Sequence, residues 1–245
     1  MFPFVRLGSW LIQMPFLALL VGLWGGMILL DHESKRMKLN PSTVANLVIY
    51  STLAGLIGAR LGYALQFRAL YASKPLSLLA LTPTTLSPSM GFLVGLIAFW
   101  ILLDHQNLPV RPTLDALAPG LALFMVFLGA SHILSGDAYG ASTRVAWAIR
   151  LWNEYRHPSQ FYETFTALIF FLVILKRFPK PDGAGLNFGL TIALTATSRV
   201  FLETFRGDSV FWPAGFRAAQ VIALVLMAVG FYWMRRWMNV DPRQT

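Results

Sequence analysis

Cysteine is absent from this 245-residue sequence, and charged side chains make up only 13% of it. The absence of cysteine excludes disulfide bonds, a thiolate nucleophile within the chain and cysteine-based metal sites. The four histidines are far apart and form no His-x-x-x-His pair, so neither a metal site nor a cofactor is predicted. An average soluble domain has about twice this share of charged residues, so an ordinary soluble fold is not expected.

Long apolar runs dominate the rest of the chain. Hydrophobic residues form 56% of it, and runs close to the ~20 residues that cross a bilayer recur along it. The runs show no alternation of period two, so the spanning elements are predicted to be helices. We therefore predict an all-α integral membrane protein, a bundle of about seven transmembrane helices forming a single transmembrane domain over residues 1–245. The predicted spans cover about 10–30, 45–67, 88–103, 113–134, 158–176, 186–204 and 216–234.

The chain has a net charge of +9, but no soluble domain is predicted that could present a basic face. The expected partner is therefore the anionic lipid bilayer and not a nucleic acid. An odd number of spans puts the termini on opposite sides of the membrane. Lysine and arginine are more frequent in the loops on the side of the membrane where the C-terminus lies. The bias is clearest when Arg144, Arg150 and Arg156 are set aside as candidate site residues. The positive-inside rule then predicts the N-terminus outside and the C-terminus in the cytoplasm.

Two long connections separate the predicted spans. The segment at about 68–88 is semi-apolar and contains prolines, which favours an arm along the membrane interface. The segment at about 135–157 is predicted to be extracytoplasmic. It carries Trp147, Trp152 and Tyr155, aromatic residues that suit the headgroup level.

Charged groups inside the spans need a reason, since each costs at least ~2.5–3.5 kcal/mol at membrane depth. In the second span, Arg60 and Tyr63 lie one turn apart on one face. Arg60 either snorkels toward the headgroups or, in space opened by Gly58 and Gly62, holds an anion or an internal ion pair. Close packing of helices is another explanation of these two glycines.

The sixth span ends in Arg199, Glu203 and Arg206, which are spaced four and three residues apart and therefore share one stripe of a helix. Glu203 can pair with either arginine. The stripe is then either a self-neutralising element of the bundle or a net positive site for phosphate. The planar arginine fork suits phosphate because it binds two oxygens at once.

The fourth span ends in a polar stretch, residues 129–140, rich in glycine and small polar side chains. A helix that stops at membrane depth must line a cavity or be buried in protein. His132 is a candidate general base because histidine titrates near neutrality, and Asp137 is a second acid–base candidate. The alternative is a core histidine whose hydrogen bonds are satisfied.

The stretch Arg156-His-Pro-Ser-Gln-Phe-Tyr-Glu163 opens the fifth span. Its proline fits the first turn of a helix, with the preceding histidine in the cap position. Helical spacing puts Gln160 and Glu163 on one face and the phenylalanine on another. A helix start at the membrane interface explains the proline and the phenylalanine. We interpret Gln160, Tyr162 and Glu163 as a polar lining directed into the bundle.

This stretch resembles the His-Pro-Ser-Gln-hydrophobic-Tyr-Glu signature of the prolipoprotein diacylglyceryl transferases, bacterial inner-membrane enzymes with seven spans. Residues 58–63 are similar to that family's Gly-Gly-Arg-hydrophobic-Gly-Tyr motif, and residues 199–206 are similar to its sixth-helix pattern. Gln220 matches a glutamine early in the family's last helix. The order and spacing of the spans agree over nearly the whole chain.

The resemblance implies transfer of a diacylglyceryl group from phosphatidylglycerol to the lipobox cysteine of a prolipoprotein signal peptide, with release of glycerol phosphate. The nucleophile is then the substrate's thiol, so the chain itself needs no cysteine. Arginines would hold the lipid phosphate and offset charge on the leaving group. The catalytic candidates are His132, Asp137, Arg199 and Glu203. The substrate-binding candidates are Arg60, Tyr63, Gly140, His157, Gln160, Tyr162, Glu163, Arg206 and Gln220.

The sequence departs from the family pattern at two motifs. The histidine of the family's Phe-His-Gly-Gly stretch falls on Met90. In the motif that ends the fourth span, the family's arginine falls on Gly129 and its first asparagine on His132. One alternative is therefore a catalytically inactive homologue that binds phospholipid or lipoprotein as a membrane subunit. Another is related transfer chemistry with a different lipid donor or acceptor.

Overall fold

The structure, a computed structural model, describes residues 3–8, 10–73, 85–177, 185–213 and 215–238. Its helices are α1 (Met14–Arg36), α2 (Pro41–Gln66), α3 (Arg68–Ser73), α4 (Pro88–His105), α5 (Val110–Ser135), α6 (Ser159–Arg177), α7 (Leu186–Leu202) and α8 (Ala218–Met238). A 3-10 turn, Glu203–Phe205, continues α7. Two antiparallel hairpins pair β1 (Phe4–Leu7) with β2 (Trp10–Gln13), and β3 (Ile149–Leu151) with β4 (Glu154–Arg156).

The predicted all-α membrane architecture is confirmed, and each predicted span contains a helix. Six helices in the described part of the chain are long and apolar enough to cross a membrane, namely α1, α2, α4, α5, α6 and α8. The sixth predicted span differs, since α7 has 17 residues. At ~1.5 Å per residue it is about 26 Å long, shorter than the ~30 Å hydrocarbon core.

The first predicted span was wrong at both ends. Residues 10–13 form β2, and the helix begins only at Met14, where Pro15 suits a first turn. The helix then continues to Arg36, so Lys35 and Arg36 lie in its last turn and not in a loop. Cations are favourable there because they face the negative end of the helix dipole. Of the predicted interfacial arm, residues 68–73 form α3, and residues 74–84 lie outside the described part of the chain.

The contacts divide the chain into two compact units, and the smaller one spans Leu39–Val110. Within it α2 and α4 pack antiparallel through glycines. A Cβ placed on Gly58 would lie 2.5 Å from Val94 Cβ, and one on Gly62 would lie 2.4 Å from Met90 Cβ. These glycines therefore serve helix packing. The space that they were expected to open around Arg60 is filled by α4.

The larger unit contains the remaining helices, which alternate in direction. Gly26 of α1 meets Gly120 of α5, and Gly129 of α5 meets Thr164 of α6. Ile174 of α6 is fully buried in a cluster that includes Leu190 of α7. At the other end of α7, Val200 contacts Gln220 of α8. This alternation gathers the C-terminal ends of α5 and α7 and the N-terminal ends of α6 and α8 at one end of the unit, where buried Ser131, Ser159, Gln160 and Glu203 also lie.

Candidate active site

A cavity opens at this polar end of the larger unit. It encloses ≈ 280 Å³ of empty space, counted to its open mouth. The first turns of α6 and the last turns of α7 provide its walls. The lining residues are Ser159, Glu163, Ser198, Arg199, Leu202 and Arg206.

An alternating row of charged and titratable groups crosses the cavity wall. His132 Nδ1 lies 3.0 Å from Glu163 Oε2. The other oxygen of Glu163 lies 3.6 Å from Arg199 Nη1. Arg199 Nε in turn lies 3.2 Å from Glu203 Oε2. Three helices thus contribute to one connected network, which joins the polar end of α5 to the charged stripe of α7.

Glu203 is the most deeply buried acid of the network, with 2% of its side chain exposed. Its Oε1 accepts a hydrogen bond of 2.8 Å from Ser209 Oγ. Its Oε2 also lies 3.8 Å from Arg206 Nε. The sequence predicted that Glu203 can pair with either arginine, and in the structure it lies within 4 Å of both. Its main-chain carbonyl accepts a hydrogen bond from the guanidinium of Arg217, which thereby ties the start of α8 to the end of α7.

Arg206 has a stronger partner than Glu203. It donates from Nε to Asp208 Oδ1 at 2.8 Å and from Nη2 to Asp208 Oδ2 at 2.6 Å, the bidentate geometry of a strong arginine–carboxylate pair. Burial by itself would lower the pKa of Arg206, but the hydrogen bonds to Asp208 and the nearby glutamates outweigh it and raise the pKa. Arg206 therefore stays charged.

The charges of the network balance within the described residues. Three arginines (Arg199, Arg206 and Arg217) face three carboxylates (Glu163, Glu203 and Asp208). One of the two alternatives for the Arg199–Glu203–Arg206 stripe was a net positive site. Its surplus positive charge is offset by Asp208 and Glu163. Arg199 is the more accessible of the two cavity arginines, with 37% of its side chain exposed against 13% for Arg206.

The first turn of α6 is fastened to the loop that follows α5. The side-chain amide of buried Gln160 donates to the carbonyl of Asp137 at 3.0 Å, and Ser159 Oγ donates to the carbonyl of Ala138 at 2.6 Å. The helix begins at Ser159, and the carbonyl of Pro158 accepts its first hydrogen bond, from Tyr162 N at 3.2 Å. Pro158 is therefore the cap residue, one position later than predicted.

Gly140 lies where three segments meet. A Cβ at this position would lie 2.0 Å from the carbonyl oxygen of His157, so only glycine fits. On either side, Ala141 N donates to Phe205 O at 2.8 Å and Gly207 N donates to Tyr139 O at 2.8 Å. The loop after α5 is thus pinned to the turn after α7.

Two residues of the motif lie beside the cavity and not in its lining. The rings of His157 and Tyr162 pack on Phe205, with centroids 5.2 Å and 5.7 Å away. The hydroxyl of Tyr162 accepts a hydrogen bond of 2.7 Å from Trp147 Nε1. Gln220, near the start of α8, donates to the carbonyl of Val200 at 2.9 Å and holds α8 against α7.

Three further predicted site residues have surroundings of a different kind. Asp137 is exposed, and in the described part of the chain its contacts run through its main chain. Arg60 and Tyr63 belong to the smaller unit. There Arg60 donates to the carbonyl and the hydroxyl of Thr85 and lies over the ring of Tyr71, which also packs edge-on against Tyr63.

Sequence reasoning missed Asp208 and Arg217. Asp208 lies two residues after Arg206, so an acid close to a candidate arginine was a usable signal. Arg217 lies 14 residues from Glu203 in the chain, and no helical spacing connects them. The contact arises because the chain between α7 and α8 folds back, which the sequence pattern did not reveal.

Comparison with known proteins identifies the family of the chain. The family profile described as "Prolipoprotein diacylglyceryl transferase" matches residues 4–236. The chain is 25% identical to the phosphatidylglycerol–prolipoprotein diacylglyceryl transferase of Gloeobacter violaceus, over 95% of this chain and 92% of that protein. It is 26% identical to the protein of the same name from Clostridioides difficile, over 82% of this chain and 80% of that protein. The chain therefore belongs to the prolipoprotein diacylglyceryl transferase family, a family of multi-pass bacterial membrane enzymes.

Proposed function

We propose that this membrane transferase moves a diacylglyceryl group from phosphatidylglycerol to the lipobox cysteine of a prolipoprotein signal peptide. The observation that carries the proposal is the cavity in which Arg199 lies between two carboxylates at the end of an apolar bundle. A phosphodiester within lipid needs a cation to hold it, and family membership supplies the class of reaction.

Arg199 is the residue that contacts the lipid phosphate in this proposal. Its carboxylate partners lie at 3.2 Å and 3.6 Å, longer than the 2.6 Å and 2.8 Å contacts of Arg206 with Asp208. Charge-assisted hydrogen bonds of about 2.7–2.9 Å are the strong ones. Arg199 can therefore turn from its carboxylates to a phosphate at little cost, whereas Arg206 provides a fixed charge behind it.

The lining of the cavity limits which part of the lipid enters. Five of its six lining residues are polar or charged. Such a lining suits a glycerophosphate headgroup and not two acyl chains. The acyl chains then stay among the bilayer lipids while the headgroup reaches Arg199. The other predicted substrate-binding residues of the larger unit act by holding this end of the bundle together.

The end opposite the cavity supports a proposed orientation of the chain. The last turns of α1, α6 and α8 lie at that end, and each carries two basic residues. These residues are Lys35, Arg36, Lys176, Arg177, Arg235 and Arg236. The positive-inside rule supports a cytoplasmic location for this end, with the N-terminus and the cavity on the outer side. Because the chain has no cysteine, single cysteines introduced at Ser142 and Arg236 can be labelled in whole cells and spheroplasts with a membrane-impermeant maleimide to test this.

The transferase proposal is tested with purified protein in bilayers that contain phosphatidylglycerol and a lipobox-cysteine peptide. The peptide should gain the mass of a diacylglyceryl group. Arg199→Ala should lower the rate by roughly 100-fold or more, the usual effect of removing a group that stabilises transition-state charge. Arg235→Ala, in the last turn of α8 and away from the cavity, is the matched control. Phosphatidylglycerol bound in an Arg199-dependent way without any mass gain would contradict transfer and indicate a lipid-binding protein.

A further inference from the structure

We propose that His132 accepts the proton of the acceptor thiol through Nε2, and that Glu163 is the positioning residue that holds its ring for this step. The inference rests on the proposed transferase function and adds to it the identity of the base. Two observations support it. The first is the contact between the two side chains, and the second is that the surroundings of other acids and histidines at this end make them less suitable as bases.

The contact itself selects one tautomer of the imidazole. Nδ1 of His132 lies 3.0 Å from Glu163 Oε2, and a carboxylate can only accept a hydrogen bond. The proton of the neutral ring is therefore on Nδ1, and the lone pair is on Nε2. In the described part of the chain Nε2 has no hydrogen-bond partner, and 23% of the side chain is exposed. The nitrogen that can take a proton is thus the one that has no partner in the described residues.

Gly129 makes this contact possible. It lies one turn before His132 on the same face of α5, and a Cβ there would lie 2.4 Å from Thr164 Oγ1 and 2.9 Å from Thr164 Cα. Thr164 follows Glu163 directly in α6. Helices α5 and α6 therefore approach closely next to the pair, so that the short histidine side chain reaches the carboxylate.

Three other candidates at this end are poorer bases. Glu203 lies between two arginines and is almost fully buried. His157 packs against the rings of Phe205 and Tyr162, and its Nδ1 is buried without a hydrogen-bond partner. The carboxylate of Asp137 is exposed, with no hydrogen bond or ion pair to orient it in the described part of the chain. Compared with these three, His132 combines an unpartnered lone pair with a ring held by a hydrogen bond, in a partly exposed side chain.

The proposed step conserves protons and electrons. The thiol proton passes to His132 Nε2 as sulfur attacks the glyceryl carbon of phosphatidylglycerol. A carbon–sulfur bond forms, the carbon–oxygen bond to the phosphate breaks, and its electron pair leaves with that oxygen. The proton on His132 then moves to the departing glycerol phosphate, which restores the neutral ring. Glu163 stabilises the transient imidazolium through the Nδ1 hydrogen bond.

The test compares thiol and selenol acceptors in the bilayer assay. His132→Gln should lower transfer to the cysteine peptide by roughly 100-fold or more, the usual contribution of a positioned base, while bound phosphatidylglycerol stays unchanged. A selenocysteine peptide is a much stronger acid and needs no base. With that acceptor the loss should shrink below roughly tenfold. His105→Gln, at the end of α4, is the matched control and should transfer at the wild-type rate to both peptides.

The outcomes separate this inference from the proposed function. A wild-type rate in His132→Gln, or an equal loss with both acceptors, would overturn the role of His132 and leave the transferase function in place. No transfer by the wild-type protein would overturn both. If His132→Gln does not fold, as judged by thermal unfolding in detergent, His132→Asn replaces it with the same expected results. Glu163→Gln should lower the rate of transfer to the cysteine peptide less than His132→Gln does. This loss should also be smaller with the selenocysteine peptide.

Discussion

A buried acid lies at each end of α7, Asp115 of α5 at the N-terminal end and Glu203 at the C-terminal end, and the two acids are used differently. At the N-terminal end, Asp115 is fully buried, and its two oxygens accept hydrogen bonds from Gly185 N at 2.8 Å and Phe188 N at 3.0 Å. These are amides of the first turn of the helix, which have no partner within it. At the C-terminal end, Glu203 lies against two arginines at 3.2 Å and 3.8 Å.

The difference shows how a structural acid and a site acid can be distinguished. Asp115 has short contacts to main-chain groups that cannot move away, so its charge is committed to the fold. Glu203 has longer contacts to the side chains of two arginines, and one of them, Arg199, lines a cavity. Loosely held charges can be exchanged for those of a ligand. Burial is common to both acids and therefore does not identify the site.

The largest effect is expected from Glu203→Gln, which keeps the shape of the side chain and removes its charge. Arg199 would lose its nearer carboxylate, so its position in the cavity would no longer be fixed. We expect kcat/KM in the bilayer assay to fall roughly 100-fold, equivalent to about 2.7 kcal/mol. If the variant folds and retains near wild-type kcat/KM, Glu203 has only a structural role, as Asp115 does. That result would contradict the distinction between the two acids.

Gly140→Ala should combine a loss of stability with a loss of activity. The added Cβ meets the carbonyl of His157, and such overpacking typically costs about 1–3 kcal/mol. Displacement of His157 and the residues after it should also lower transfer per folded molecule by roughly tenfold, because small misplacements of site residues lower the rate strongly. Gly26→Ala, which meets Gly120 far from the cavity, is the control. It should lower the unfolding temperature without changing the rate per folded molecule.

Asp115→Asn makes the same acid-to-amide change at the other end of α7. The asparagine side chain has one acceptor oxygen, whereas the two main-chain N–H groups each need an acceptor. One buried donor is therefore left unpaired, at a cost of about 1–3 kcal/mol. Denaturation in detergent should show this loss, while transfer per folded molecule stays within about twofold of wild type. Asp104→Ala, an exposed acid near the end of α4, should change neither quantity.

A smaller effect is expected where the loop before β3 meets α6. Trp147→Phe removes the donor to the Tyr162 hydroxyl, and Tyr162→Phe removes the acceptor. Each should lower stability by about 1 kcal/mol. A double-mutant cycle with both changes measures the coupling, expected at about 0.5–1.5 kcal/mol. Zero coupling would show that the loop is held by its other contacts.

The smallest effect concerns pH. Because the pKa of Arg206 is raised in the folded protein, the stabilisation from its charge is complete below the pKa of the unfolded chain. It is lost only as pH rises through the still higher folded pKa. The stability difference between wild type and Arg206→Lys should therefore stay constant between about pH 6 and 9. A change across that window would contradict this reading of Arg206.

Much of the local structure could be predicted from the sequence. Apolar runs located the helices to within a few residues, because hydrocarbon excludes unpaired backbone groups and leaves helices as the solution. Helical spacing correctly brought Glu203 to both arginines. The same reasoning could not find Asp208 as the main partner of Arg206, nor Arg217 beneath Glu203. These contacts depend on how the chain turns after α7, and they lack a regular period.

Some local patterns had two explanations, and only packing could choose between them. Gly58 and Gly62 could open a space around Arg60 or admit a neighbouring helix, and Val94 and Met90 occupy their faces. His132 could be an isolated core residue or part of a site. Its partner, Glu163, lies 31 residues away, and their contact depends on the close approach of α5 and α6 at Gly129.

The sequence by itself determined that the chain is a helical membrane protein of this family, because hydropathy and short motifs act through neighbouring residues. Only the tertiary structure decided which charges face one another. Arg199 and Arg206 look equivalent in the sequence, yet the structure commits Arg206 to Asp208 and leaves Arg199 open to the cavity. The physical reason is that side-chain electrostatics depend on distances of a few ångströms between segments, and those distances are set by helix packing.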